Sequence, residues 1–495
     1  MSLPDTPTGE APPNGRSRQL GPIAYGAPVT FGEPDGVQNP PPDSPAVGRE
    51  RRAWLSFVTK ARIGILVGIV AAIVTPPTIV SFDRVGKQVI GAARKIDQGE
   101  VARGGDRPRI DASANGHQPQ NPSAPAIQES PVRDQIVAAI TRQATALQTA
   151  DLPGFLAPVD PADVALRAQL TKRFLSLRAM RVVTWSQTIA GKVGSGVGGE
   201  WIAPVQLRYC FVVTTCVPTA VTVETHWLIT PVQTRLTQFG SSPADQVGPR
   251  PWEVSELQAV VGNRVVVAGT KKWASRLSGV LASAERAAAV TDRYAKWGPP
   301  PSRYVVYVAG PDEWAQWYGV QQASWVAAYA MPLTDTYTEI VLNATKVSVA
   351  DSREVLQHEF THVVTLAGVH KTYQDSWWLI EGIAEYVQNV GTPISAYRAL
   401  SDGRKYVHSG AWNGTVALGE PSTTATTSEA NGEYAVAYLA VRRLSERFGE
   451  QRMLEFFNAV ARNGQGLESA SVTVLGQPWA QVADDCARYV RRGVG

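Results

Sequence analysis

Gln357-His358-Glu359-Phe360-Thr361-His362 is the stretch around which this chain of 495 residues is organised. It has the pattern His-Glu-x-x-His. Residues four apart on an α-helix lie one turn above each other on the same face. His358 and His362 would therefore offer two imidazole nitrogens to one metal ion. Glu359 would lie beside that ion, where its carboxylate would take a proton from a water.

The residues around this stretch favour a helix. Asp351 and Glu354 have the spacing of a capping box at the helix start. Apolar residues recur with helical spacing on the side opposite the histidines: Leu356, Phe360, Val363, Val364 and Ala367. We therefore expect the helix to bury one side in a core and to turn His358, Glu359 and His362 toward a cleft.

A third metal ligand is expected from a second helix. Glu381 follows His362 after eighteen intervening residues, and Asp375 or Ser376 would cap the start of its helix. Zinc sites that act on substrates use three protein ligands and leave a fourth position open. Glu385 comes one turn after Glu381, so its carboxylate would accept a hydrogen bond from the outer N–H of a ligating histidine, from the second shell of the site.

The pattern His-Glu-x-x-His, eighteen residues and then Glu-Gly-x-Ala-x-Tyr resembles the gluzincin metallopeptidases, especially the zinc aminopeptidase branch and its peptidase-MA-like relatives. The resemblance covers residues 252–495 and implies a zincin-like metallopeptidase domain with a helical C-terminal lobe. It also implies one zinc ion per chain, bound by His358, His362 and Glu381. Glu359 would be the general base of peptide hydrolysis.

The resemblance also suggests a second catalytic residue. In the family, a tyrosine at the start of a later helix stabilises the oxyanion. Glu433-Tyr434-Ala435-Val436-Ala437-Tyr438 resembles that stretch, so Tyr434 is the candidate. The sequence has no Gly-Ala-Met-Glu-Asn-like segment, which grips the free amine of the substrate in the true aminopeptidases. The choice between endopeptidase and exopeptidase therefore stays open.

A strand is predicted just before the metal-binding helix, at Thr338–Asn343. In the family that this chain resembles, the strand in this place is a sheet edge that pairs with an extended peptide. A free edge suits that task because its unpaired N–H and C=O groups can bind a peptide backbone. The alternative is an ordinary inner strand. Ser401–Asn431 reads as a long polar loop, and helices are expected from Tyr434 to the end.

The N-terminal part predicts a membrane anchor. Residues 1–50 are rich in Pro and Gly and are expected to be a disordered tail. Within residues 51–82, the run Ile63–Phe82 carries no charge and is long enough, as one transmembrane helix, to span a hydrocarbon core of roughly 30 Å. Slightly more Lys and Arg precede this run than follow it, which favours a cytoplasmic N-terminus and extracellular C-terminal domains. Residues 83–130 read as a linker.

Residues 131–248 read as a separate α+β unit. Apolar residues with helical spacing predict two helices, around Ile136 and around Leu170. Four strands are then expected: Val182–Ile189, Trp201–Val213, Ala220–Thr230 and Thr234–Phe239. Helices followed by a curved antiparallel sheet resemble the nuclear transport factor 2-like cone fold in pattern. A structural or interaction role is expected for this unit.

The three cysteines have no metal-site spacing. Cys210 and Cys216 would lie too far apart to bond in an extended strand, but a turn between them would permit a disulfide. Cys486 is expected to be buried and unpaired. The net charge of +4 is small for this length, and no basic patch with interleaved aromatic residues suggests nucleic-acid binding.

These observations predict an α+β multidomain protein. We expect a membrane-anchored, zinc-dependent metallopeptidase that acts on a peptide or protein substrate. The alternative is a non-catalytic, membrane-anchored binding or scaffold protein with a peptidase-like domain. The sequence leaves the substrate and the oligomeric state open.

Overall fold

The structure is a computed structural model, which describes residues 25–28, 129–319, 322–369, 373 and 376–495. These residues belong to one compact unit. The predicted membrane anchor, most of the predicted tail and nearly all of the predicted linker lie outside the described residues. Within the described residues, no helix is both long and apolar enough to cross a bilayer.

The first part of the unit has helices followed by an antiparallel sheet, as expected. A short strand, β1, precedes it at Tyr25–Pro28. The helices are α1 (Glu129–Gln148), α2 (Leu152–Leu156) and α3 (Val164–Ala179). The strands are β2 (Val182–Ile189), β3 (Gly194–Ser195), β4 (Glu200–Phe211), β5 (Thr219–Thr230) and β6 (Gln233–Phe239). The strand order is β2-β4-β5-β6, and β3 pairs with β4. The likeness to the nuclear transport factor 2-like cone stays a prediction.

The chain turns sharply between β4 and β5. Val212 has a positive φ of 62° at the start of this turn. The turn brings Cys210 and Cys216 to a Cα–Cα distance of 6.3 Å, and the two form a disulfide. Cys486 is buried and unpaired, as predicted.

A second sheet occupies the middle of the chain. Its elements are α4 (Pro251–Val254), β7 (Leu257–Val261), β8 (Val265–Thr270), α5 (Ala274–Thr291), β9 (Tyr304–Ala309), α6 (Pro311–Gln316), β10 (Val326–Thr334) and β11 (Tyr337–Asn343). The order is β1-β10-β11-β9-β8-β7. Strands β8, β9 and β11 run parallel, and the other neighbours are antiparallel.

Of the two alternatives for Thr338–Asn343, the structure has the ordinary inner strand and not the sheet edge. These residues lie in β11, between β10 and β9. A tight turn after Thr334 folds β10 back along the outer side of β11, and the short strand β1 follows β10 at the edge of the sheet. Pro332 lies beyond the residues of β10 that pair with β1, where a proline suits the open side of the strand because it cannot donate a ladder hydrogen bond. The short strand β1 pairs antiparallel with β10, with Tyr25 opposite Ala330.

The C-terminal part is helical, as predicted. Its helices are α7 (Ser352–Thr365), α8 (Trp377–Gln388), α9 (Leu400–His408), α10 (Thr427–Phe448), α11 (Glu450–Phe457), α12 (Leu467–Ala470) and α13 (Trp479–Val494). The prediction of one polar loop over Ser401–Asn431 is wrong. Gly403 in α9 packs closely on Ala435 of α10, and this tertiary contact stabilises a helix that has few apolar residues.

Both faces of the second sheet are buried. In β9, Tyr304, Val306 and Val308 face the helical lobe. The alternating residues Val305 and Tyr307 face the core of the first part of the chain. Because side chains alternate across a strand, burial of every residue means that a layer covers each face. The two parts of the chain therefore share the core on which this sheet rests.

Loss of the disulfide is expected to destabilise the protein. The bond closes a loop of seven residues from Cys210 to Cys216, and such a loop contributes about 2 kcal/mol by loop-closure entropy. We expect Cys210→Ser with Cys216→Ser to lower the free energy of unfolding by that amount in chemical denaturation. A reductant should lower the free energy of unfolding of the wild type by the same amount. It should leave the free energy of unfolding of the double variant unchanged. Equal sensitivity of both proteins to reductant would contradict the role of this bond.

Candidate metal centre

Helix α7 carries three of the predicted site residues. Asp351 occupies the N-cap position, but its side chain makes no capping hydrogen bond, so the predicted capping box is wrong. Instead, Arg398 pairs with Asp351 at 2.6 Å and with Glu354 at 3.1 Å. The other oxygen of Asp351 accepts a hydrogen bond from the Ser348 hydroxyl, so both oxygens are engaged by groups other than the helix N–H groups. The helix forms at the predicted place because tertiary contacts stabilise it.

The side chains of α7 are more buried than we expect for a helix that turns one face toward a cleft. All side chains from Val355 to Thr365 are buried. Helix α7 contacts α5 on one side, α8 on another and strand β10 below. The histidine face therefore packs against α8, so the site lies in the protein interior, where water screens charges only weakly.

The three predicted metal ligands converge. His358 Nε2 lies 3.1 Å from Glu381 Oε2, and His362 Nε2 lies 3.4 Å from the same oxygen. Among the described residues, these three side chains form the group that could hold a metal ion, with ligand atoms within 4.8 Å of one another. All three are buried. The arrangement follows from one helical turn in α7 and from the side-by-side packing of α7 and α8.

The buried groups shift one another's pKa strongly. Burial alone would raise the pKa of Glu381, but the charges and hydrogen bonds of His362 and His358 outweigh it and lower the pKa to about 2. Burial alone would lower the pKa of His358, but hydrogen bonds with Glu381 and Glu385 raise it to about 10. The carboxylates therefore attract positive charge into this buried position.

The residues fit a zinc ion. Two imidazoles and one carboxylate are a donor set that zinc prefers, and three protein ligands leave room for a fourth. Glu381 Oε1 is buried and has no hydrogen-bond partner among the residues that the structure describes. A buried carboxylate oxygen without a partner is costly, and a divalent cation would satisfy it.

Glu385 lies where the sequence predicts it. Its Oε1 is 3.1 Å from His358 Nδ1, on the ring side away from Glu381. The hydroxyl of Tyr397 donates a hydrogen bond of 2.8 Å to Glu385 Oε2. Tyr397 was missed because it follows α8 in an irregular segment, without a motif of its own. Tyr397 thus positions Glu385, and Glu385 in turn fixes the orientation of the His358 ring.

Glu359 and Tyr434 both lie beside the ligand set. Glu359 is fully buried next to His358 on α7. Tyr434 is in the second turn of α10, and its ring centroid is 6.2 Å from that of His358 and 5.2 Å from that of Trp377. Burial and the charges of Glu381, Glu385 and Glu359 raise the pKa of Tyr434 well above its usual value. The phenol therefore stays protonated and able to donate.

Gly382 allows α8 to approach α10. A Cβ atom at this position would lie 2.6 Å from the Ala437 carbonyl oxygen and 2.6 Å from Val441 Cγ2. A methyl group would push the two helices apart, and Glu381 is the next residue on α8. The glycine that follows Glu381 in the motif thus has a packing role.

No protein-family model matches the chain, and no curated protein matches it either. Among solved structures, it is similar to a two-domain M1 zinc metallopeptidase whose crystal structure is that of a mutant bound to L-arginine. The similarity covers 63% of this chain and 61% of that enzyme, with 14% sequence identity and a TM-score of 0.29. The chain therefore matches less than two thirds of that enzyme.

The full-length protein is expected to bind about one zinc ion per chain, as three protein ligands define a single site. Elemental analysis of the purified protein would measure this. The double variant His358→Ala, His362→Ala should lose the zinc. The matched variant His226→Ala, His408→Ala changes two histidines elsewhere and should keep it. Equal zinc content in the two variants would contradict the assignment.

A methyl group at Gly382 is expected to weaken the site through packing. Gly382→Ala should lower the free energy of unfolding by about 1–3 kcal/mol, the usual effect of overpacking. It should also weaken zinc affinity, because Glu381 moves with α8. Gly298→Ala is the control, since nothing lies within 4 Å of its added Cβ. Denaturation curves and zinc titration would compare the two, and equal behaviour would rule out this role of Gly382.

Proposed function

We propose that the protein is a zinc-dependent metallopeptidase that hydrolyses peptide bonds. The observation that carries this proposal is the convergence of His358, His362 and Glu381 within 4.8 Å, with Glu359 on the same helical turn. A metal site that only stabilises a fold has no need of a buried carboxylate beside its ligands. Burial of a polar carboxyl group is unfavourable unless the group has a task, which argues against the scaffold alternative.

Each residue of the site would have its own role in the reaction. When bound, zinc would polarise the peptide carbonyl and lower the pKa of a water. Glu359 would take the proton of the attacking water and pass it to the leaving amine. Tyr434 would donate a hydrogen bond to the developing oxyanion. Glu385 would hold the His358 ring in the tautomer that leaves Nε2 free for the metal.

Strand β10 would offer a place for the peptide backbone on the side where β1 pairs with it. The short strand β1 pairs with β10 and contacts both α7 and α10, the helices that carry Glu359 and Tyr434. This position of β1 supports the proposal that an extended peptide lies along β10 next to both helices. A peptide substrate that adds a strand here would use backbone hydrogen bonds for affinity.

The proposal includes that the protein is anchored in a membrane and that its site faces the outside of the cell. The uncharged run Ile63–Phe82 favours an anchor. The disulfide between Cys210 and Cys216 favours an oxidising compartment.

Two substitutions separate catalysis from metal binding. Glu359→Gln should keep zinc but lower kcat for peptide cleavage about 10²–10⁴-fold, because the proton acceptor is lost. Tyr434→Phe should lower kcat roughly 10²-fold or more with little change in KM. Tyr438→Phe, one turn further along α10, is the matched control and should keep its activity. Zinc-loaded full-length protein and a peptide pool read by mass spectrometry would measure this, and undiminished cleavage by Glu359→Gln would falsify the proposal.

A further inference from the structure

Strand β10 pairs with a segment from the far N-terminal part of the chain. This segment is β1, which runs antiparallel to β10 with Tyr25 opposite Ala330. The pairing ends with Pro28 opposite Val326, the first residue of β10. The whole first part of the chain and most of the second sheet separate β1 from β10 in sequence. The pairing is therefore a contact between distant parts of the chain and not a local hairpin.

The position of β1 places it beside the candidate metal centre. Cα atoms of β1 lie within 8 Å of Cα atoms in α7 and in α10, the helices that carry the predicted general base and the candidate tyrosine. Val326, which faces Pro28, directly follows Trp325. The Trp325 ring centroid is 6.2 Å from that of Tyr434, which is in turn 6.2 Å from that of His358. The end of β1 thus lies next to side chains that lead to a predicted metal ligand.

The place of β1 is also the place proposed above for the backbone of a peptide substrate. The N–H and C=O groups of β10 that pair with β1 are the groups that a substrate strand would use. A strand has one neighbour on each side, and β11 already lies on the other side of β10. A substrate strand and β1 therefore exclude each other along the paired residues of β10.

We propose that residues 25–28 act as a tethered inhibitor that competes with peptide substrates for β10. This inference rests on the proposed function. The strand binds weakly by itself, because it has four residues and Pro28 has no N–H to donate. Its attachment to the same chain raises its local concentration at β10. A weak strand that is tethered in this way keeps the site closed and can still be displaced.

The same contact bears on the predicted membrane anchor. Residues 25–28 precede the uncharged run Ile63–Phe82, whereas β10 follows it. The contact therefore forms only while both strands lie on the same side of a membrane. Insertion of the run as a single crossing would separate them and open the site. The tethered strand would thus keep the peptidase inactive until the chain is anchored.

The test uses zinc-loaded full-length protein in detergent, where no bilayer separates the two strands. The N–H groups of consecutive strand residues point to opposite sides, so Gly26→Pro with Ala27→Pro removes the donor that faces β10. For a strand with a Kd of roughly 0.1 mM and a local concentration of roughly 1 mM, this release should lower KM about tenfold. The kcat should not change, because β1 provides no catalytic group. Mass spectrometry would follow the best-cleaved peptide of a proteome-derived library.

A matched control makes the same two changes elsewhere. Gly91→Pro with Ala92→Pro alters the same dipeptide in the predicted linker and should behave as wild type. A synthetic peptide of residues 20–33 should inhibit the β1 variant competitively and inhibit the wild type about tenfold more weakly. Equal KM values for the β1 variant and the wild type would overturn the inference and leave the proposed function intact.

A failure of the proposed function is recognised separately. If neither the wild type nor the β1 variant cleaves any peptide, the peptidase proposal fails. Fluorescence anisotropy of a labelled 20–33 peptide then tests the contact alone. The peptide should bind the β1 variant about tenfold more tightly than the wild type, whose own segment occupies β10. Equal affinity for the two proteins would show that residues 25–28 do not compete for β10.

Discussion

The rest of this structure depends on the attraction between two buried imidazoles and one buried carboxylate. His358, His362 and Glu381 are all removed from water. Charges in such a place are stable only when they are paired closely, and a divalent cation is the partner that this donor set suits best. Helices α7 and α8 have to lie side by side to keep these groups together. The close approach of α8 to α10 at Gly382 then brings Tyr434 to the same point.

The residues that the sequence predicts best are those whose relation is local. The ligands on α7 are one helical turn apart, and Glu385 is one turn from Glu381, so spacing alone places them. Helices and strands with strong periodicity were predicted to within a few residues. The missed features depend on contacts between distant parts of the chain. Arg398 and Ser348 bind the Asp351 carboxylate, and a turn after Thr334 places β10 on the outer side of β11.

Tyr397 illustrates the same limit at the site. It comes from an irregular segment and has no spacing that points to a metal. Folding brings its hydroxyl to Glu385, twelve residues earlier in the chain. The sequence thus predicts which atoms would bind the metal and that Glu385 would orient His358. It does not predict the tyrosine that in turn positions Glu385.

The sheet that carries the metal-binding half has a further consequence, since each of its faces is covered by a different part of the chain. Tyr307 and Val341 lie in one buried cluster together with residues from before Trp252, such as Met180 and Trp227. The part of the chain that carries the predicted metal ligands therefore shares its core with the part before it. Tyr434 belongs to the same cluster, so the core that holds this tyrosine is built from both parts of the sequence.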